Sequence, residues 1–428
     1  MFNAFTYIAS RAKRFSGVLA LCLTLAGSAV HAQPVLTFDQ ALRLAQDRSR
    51  QLVAQDYAAA SAREMAIAAG QLPDPTLTAG INNLPINGPD SFSLTRDFMT
   101  MRSIGVMQQF TRGDKREARA ARFDREAEAA QAGRTSALAN LQRETALAWL
   151  DRYYQERIRD ALTAQRDEAR LQVEVADAAY RGGRGSQADV FSARMVVAQL
   201  DDRIVQADRL VATAINRLAR WVGDAANRPL GAAPNTDVFS VDWAKLEDRV
   251  SHYPQVELLL RQEQVARAEV ESAQANKSSD WSAELMYSQR GPSYSNMISI
   301  NFSIPWQLDR GNRQDRELAA KLAIIDQLQA QREEATREQV ADVRSWLLQW
   351  QSTRERLVRY DSSIVPLSAE RTRAVLAAYR GGSGSLSAVL EARRMEIDTV
   401  LEHIRLEMDI AGVWAQLEYL IPAKGELK

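Results

Sequence analysis

The chain has 428 residues with 54 basic and 54 acidic side chains, a mean hydropathy of −0.32 and one cysteine, Cys22. That charge balance excludes a surface built for nucleic acid, and a lone cysteine excludes a disulfide framework or a thiolate metal site. The length suits two or three ordinary domains or one extended repeat, and composition does not choose between them.

Residues 1–32 read as a signal peptide. Arg11, Lys13 and Arg14 form a basic region, Gly17 to Ala26 an apolar core, and Val30-His31-Ala32 a cleavage pattern before Gln33. The apolar stretch is shorter than the roughly 18–20 residues that a spanning helix requires, so export with removal of the leader is expected rather than an anchor. Leu21 stands before Cys22, where a lipidation signal needs a small residue, so lipidation is not expected. Loss of three basic residues and no acid leaves the mature chain slightly acidic. No later run is apolar enough for a membrane helix, so insertion into a membrane requires strands.

Residues 33–230 begin with a helical stretch from Phe38 to about Ala69, followed by alternating segments at 75–83 and 102–110. Leu77, Ala79 and Ile81 oppose Thr76, Thr78 and Asn82, and Ile104 and Val106 face away from Ser103 and Gly105. A long helical hairpin is expected over 113–223. From Arg134 to Arg181 there is neither Gly nor Pro, and Ala, Glu, Arg, Gln and Leu dominate. A helix from Gly113 to Arg181, tolerating Gly133, reaches ~100 Å, too long for a compact domain. The glycines at 182, 183 and 185 turn the chain, and a second helix returns from Gln187 to Trp221.

Residues 231–428 repeat this order: a helix from about Trp243 to Ala275, strands at 281–289 and 297–306, and a helical hairpin over 312–421. Its helices are expected over Arg313–Arg380, with a local break at Pro366, and over Leu386–Leu420. Trp281, Ala283, Leu285 and Tyr287 alternate with Ser282, Glu284 and Ser288; Ile298, Ile300, Phe302, Ile304 and Trp306 alternate with Ser299, Asn301 and Ser303. Apolar residues on one face, polar ones on the other and aromatics at the ends match a strand with lipid on one side and a lumen on the other.

The halves are related in sequence. Ala178 to Ser186 and Ala377 to Ser385 agree at eight of nine positions at an offset of 199 residues, and the register continues through Val190 and Val389, Ala193 and Ala392, and Arg194 and Arg393. The expected fold is therefore an α+β membrane protein with an internal two-fold sequence repeat. Four strands cannot close a barrel, and an open edge cannot face lipid, so several copies must pool their strands. Two copies give eight strands around a lumen filled by side chains; three give twelve and leave a passage. A homotrimer is the smallest pipe.

The leader, the duplicated strand-pair and helix order, and the tips Tyr180-Arg181-Gly182-Gly183 and Tyr379-Arg380-Gly381-Gly382 resemble the TolC family of outer-membrane factors over essentially the whole mature chain. The resemblance implies a twelve-stranded barrel in outer-membrane lipid that continues into a periplasmic α-barrel. It also implies a periplasmic adaptor (membrane fusion) protein and an inner-membrane pump as partners. The run Gly70-Gln71-Leu72-Pro73-Asp74-Pro75, with Asn83-Leu84-Pro85 after it, is similar to the heavy-metal efflux branch associated with resistance-nodulation-division pumps. By the same resemblance, Gly182, Gly183, Gly185, Gly381, Gly382 and Gly384 form the adaptor-docking tips, Asp189 and Tyr379 the gate latch, and Glu391 the surviving carboxylate of an entrance ring. The family's latch arginine falls on Gly384, leaving Arg380 or Arg184 to replace it, and a second ring carboxylate falls on Ala388.

No catalytic residue, metal site or cofactor is expected. His252 and His403 are isolated and read as structural, and Gly182-Gly183-Arg184-Gly185 lacks the Gly-Lys-Ser/Thr of a phosphate loop. The alternatives are a type I protein-secretion or multidrug duct with the same fold, and a periplasmic coiled-coil scaffold, which leaves the strand pairs unexplained.

Overall fold

The computed structural model describes residues 35–240 and 253–422; the expected leader, His252 and the expected helical start at Trp243 lie outside the described residues. Helix α1, Phe38–Arg48, opens with a capping box in which Thr37 accepts from the Gln40 amide and Gln40 accepts from the Thr37 amide. The expected helix from Phe38 to Ala69 is in fact two. Ser49 is extended (φ −69°, ψ 107°) and its hydroxyl accepts from the Leu52 amide, so one residue ends α1 and caps α2, Arg50–Ala69.

Strands β1, Thr76–Asn82, and β2, Met101–Phe110, lead into α3, Gly113–Arg181, an unbroken helix of 69 residues. Gly133 does not interrupt it. A Cβ there would stand 2.9 Å from Gln55 Oε1, so the missing side chain lets α2 lie close against α3. Helix α4, Gln187–Val222, returns from the tip and ends in a 3₁₀ turn, Gly223–Asn227. After α5, Pro254–Ala275, come β3, Trp281–Gln289, and β4, Met297–Ser303. Strand β4 stops short of the expected Trp306 because Pro305 has no amide to donate and restricts Ile304 before it.

Helix α6, Gln314–Arg359, passes through a π turn, Tyr360–Ile364, into α7, Val365–Arg380, and α8, Leu386–Glu418, returns. The break expected at Pro366 is therefore a widened turn just before it, with helical dihedrals kept throughout. The wider turn accommodates a ring that would otherwise press on the carbonyl four residues back.

The strands form one antiparallel sheet in the order β1-β2-β3-β4, with β2 and β3 joining the two halves. Its helical end is pinned by charge: Lys115 Nζ lies 3.1 Å from Asp280 Oδ1 with both side chains largely buried, and Lys277 Nζ lies 2.7 Å from Asp315 Oδ1.

The main core lies around Trp149, midway along α3. Phe38 meets the Trp149 ring edge-on at 5.4 Å and lies 6.0 Å from Trp414. Three indole N–H groups then tie peripheral chain to the helices: Trp149 donates to Leu36 O, Trp350 to Thr236 O and Trp414 to Val238 O, at 3.3, 3.2 and 2.9 Å. Leu36 also bridges to Leu230. Burial is uneven. Helix α3 has twenty buried residues, whereas α6, with 46 residues, has only Val343 and Thr353. Helix α6 is a flank of the chain, packed by α5 and α8 and met at Trp350 and Arg354 by the segment from Thr236 to Phe239, with most of its remaining surface exposed. Among the described residues no helix is long and apolar enough to cross a membrane.

Candidate functional site: an apolar sheet face and paired helix tips

Two features stand out at opposite ends of the long helices. The first is the sheet. Its register places Ala79, Ile104, Tyr287 and Ile298 in one row and Leu77, Val106, Leu285 and Ile300 in the next, so an apolar band runs across all four strands. Nothing among the described residues covers it: Leu77 is 69% exposed, Ile300 65% and Phe302 71%. At the helical end Phe110 stacks on Trp281 at 4.2 Å, with Phe302 6.4 Å beyond. The weaker alternation of β2 is explained by its ends, where Arg102 and Gln108 share the apolar face but donate to Arg290 O and Pro73 O.

An isolated soluble sheet does not leave such a band in water. The outer edges of β1 and β4 are also unpaired. An apolar face can enter lipid only if those edges find partners.

The second feature is the tips, where α3 turns into α4 and α7 into α8. They pack side by side: Ala176, Val190, Ala193, Leu386, Val389 and Leu390 form one cluster, with Tyr379 against it. Their backbones match. Gly183 and Gly382 take φ of +70° and +78°, which L side chains rarely adopt, and a Cβ on Gly384 would stand 3.0 Å from Tyr379 N. Gly182 and Gly381 are the C-cap residues, and Gly185 lies against Ala179. All six glycines therefore have a structural task in the turn.

The tips differ in chemistry. Asp189 closes a capping box at the start of α4: its Oδ2 accepts from the Ser186 amide at 2.9 Å and hydroxyl at 2.7 Å, while its own amide donates to Ser186 Oγ at 3.1 Å. The Ser186 amide and hydroxyl hold its carboxyl below the usual range. Ser385 caps α8 through the Ala388 amide, with no carboxylate in return. Within the chain no hydrogen bond joins Asp189 to Tyr379 among the described residues, so a latch between them does not close in one copy. Glu391, Arg184 and Arg380 are exposed at the tips.

Metal ligation finds no support: no group of three or more His, Cys, Asp or Glu side chains is placed to hold an ion among the described residues. His403 lies against the π turn instead, with Nε2 2.7 Å from Asp361 Oδ1 and its ring stacked near Tyr360. One polar group, placed on the polar face of its strand by the alternation but given no role there, gains one from the structure. Glu284, the only acid in the four strands, stands on the sheet face opposite the apolar band and accepts from Thr78 and Asn301. Its signal was the isolation of one carboxylate in an otherwise uncharged alternation.

No family model matches the sequence, and no curated protein matches it either. Solved structures do resemble it. The outer-membrane channel OprN superposes with a TM-score of 0.75 at 16% identity, covering 90% of this chain and 89% of that chain. VceC, an outer membrane protein of Vibrio cholerae, gives 0.72 at 17%, covering 90% and 95%. The CmeC outer membrane channel of Campylobacter jejuni gives 0.75 at 11%, covering 90% and 85%. At these identities the likeness is one of fold: this chain has the helix-rich α+β fold of outer-membrane channels.

Proposed function

We propose that the chain is one protomer of a homotrimeric outer-membrane duct of the TolC family, a passive conduit for substrates handed over by a periplasmic adaptor and an inner-membrane pump. The observation that carries this reading is the uncovered apolar band on a sheet with two open edges, set at one end of helices ~100 Å long. Copies placed edge to edge pair β4 of one with β1 of the next and set a neighbour against the bare flank of α6. Three copies close twelve strands around a passage. The long helices then reach from the outer membrane into the periplasm, where the six tip glycines meet the adaptor. A periplasmic scaffold accounts for the helices but leaves the apolar band in water.

The cargo proposed first is heavy-metal cations moved by a resistance-nodulation-division pump, on the resemblance of residues 70–75 and 83–85; a multidrug or type I protein-secretion duct is the second reading. Deletion of the gene, followed by susceptibility tests with copper, silver, zinc, cobalt, cadmium and dyes, separates them. Metal sensitivity supports the first. Unchanged metal tolerance with dye sensitivity replaces it, and recovery of the protein from a soluble periplasmic pool contradicts the duct itself.

The gate is proposed at the tips, with Asp189 and Tyr379 latching between neighbouring copies and three Glu391 carboxylates ringing the entrance. Asp189→Ala and Tyr379→Phe should each raise single-channel conductance in planar bilayers. Ser186→Ala is the control, since it removes the capping hydroxyl at a cost of about 1 kcal/mol but leaves the carboxylate, and should not alter current. Equal effects of Ser186→Ala and Asp189→Ala would reduce Asp189 to a helix cap. Because the Asp189 carboxyl is depressed, its contribution to the tip is complete above the unfolded carboxylate range and is lost as pH falls through the depressed value.

A further inference from the structure

The sheet face opposite the apolar band is uncharged apart from one side chain. Along β1 to β4 it presents threonines, serines, asparagines, glycines, methionines and a glutamine, and the single charge is Glu284. Arg102, the only basic residue within the strands, lies on the other face. Glu284 is held in place by neutral donors. Asn301, its partner on β4, donates Nδ2 to Oε2 at 3.2 Å, and Thr78 donates Oγ1 to Oε1 at 3.3 Å.

The second of these bonds crosses a whole strand, because Thr78 is on β1 and Glu284 on β3. It is possible only because β2 has Gly105 between them; a Cβ at that position would stand 2.9 Å from Thr78 Oγ1. Met107, opposite Glu284 on β2, brings neither charge nor donor. The carboxylate is thus oriented by hydrogen bonds from β1 and β4, and no salt bridge to it is formed among the described residues.

We infer that Glu284 is a cation-selectivity determinant inside the strand barrel, separate from the gate at the helix tips. The inference rests on the trimeric duct proposed above, in which this face lines the lumen and three copies of Glu284 form a ring at one level. An unpaired ring of carboxylates in a low-dielectric wall draws cations in and repels anions. It favours cationic cargo whatever the pump delivers.

The test is the reversal potential of the full-length protein in planar bilayers under a potassium chloride gradient at low salt, for wild type and Glu284→Gln, with cross-linking of the same preparations. Glutamine keeps the shape and most of the hydrogen bonding but removes the charge. Wild type should be cation-selective, and Glu284→Gln should lower the cation-to-anion permeability ratio by about tenfold while keeping its trimer and unit conductance. The difference should fade near 1 M salt, where the Debye length is about 3 Å. Thr78→Val, which leaves the charge but frees one oxygen, should remain cation-selective. A conducting trimer whose reversal potential is unchanged by Glu284→Gln overturns the inference and leaves the duct standing. A wild-type protein that opens no channels overturns the duct, and the inference falls with it.

Discussion

Ile300→Arg should keep the protein out of the outer membrane. Ile300 lies in the middle of β4, opposite Leu285, and is flanked on its face by Ile298 and Phe302. If that face meets lipid, each guanidinium opposes insertion by about 2–4 kcal/mol near the bilayer midplane, and every barrel contains one from each copy. The variant should accumulate in the periplasm or be degraded. The adjacent substitution Ser299→Arg places the same charge on the opposite face and should still insert. The pair is read by fractionation and heat-modifiable migration on gels, and equal insertion of both variants would mean that the apolar band does not face lipid.

Trp149→Ala should cost about 3–5 kcal/mol, the range for truncating a large buried aromatic. Trp149 is fully buried, meets Phe38 edge-on and stacks on Tyr153 at 5.4 Å. Its indole N–H also anchors Leu36, which in turn pairs with Leu230. The substitution therefore loosens the segments that wrap the helices at mid-length, as well as opening a cavity. Trp149→Phe keeps most of the packing and loses the hydrogen bond, so it should cost about 1 kcal/mol. Melting of the detergent-solubilised protein distinguishes them; similar small shifts for both would show that this junction does not hold the fold together.

What the sequence made visible depended on signals that act locally. The glycines at 182, 183 and 185 and at 381, 382 and 384 announce their turns because each turn needs a positive φ or a close approach that glycine supplies. The alternation of β3 and β4 was legible for the same reason, since a strand with unlike environments on its faces records them at every second residue. Ser49 was not legible as a break because helix-forming residues surround it and only its cap geometry separates α1 from α2. Pro366 pointed to a disturbance but not to a π turn, which depends on how five preceding residues redistribute their hydrogen bonds.

The candidate site was partly legible for a related reason. Asp189 was found, but its resemblance to a latch residue concealed the capping box with Ser186, a pattern readable from the spacing of those two residues alone. The link from Thr78 to Glu284 joins positions 206 residues apart and requires the register of three strands, with Gly105 between them. The core around Trp149, Phe38 and Trp414 was hidden likewise, because its members come from three distant helices.

A trimeric duct requires that β1 of one copy pair with β4 of the next. The chain's one cysteine lies in the expected leader, so introduced cysteines have little to compete with them. Ala79→Cys on β1 can be combined in turn with Ile298→Cys, Ile300→Cys or Phe302→Cys on β4, and each double variant oxidised in isolated outer membranes. At least one pair should yield a covalent trimer on non-reducing gels, reversible by thiol, while each single variant remains monomeric. Protein that stays monomeric for every pair, or that is absent from the outer-membrane fraction, would contradict the duct.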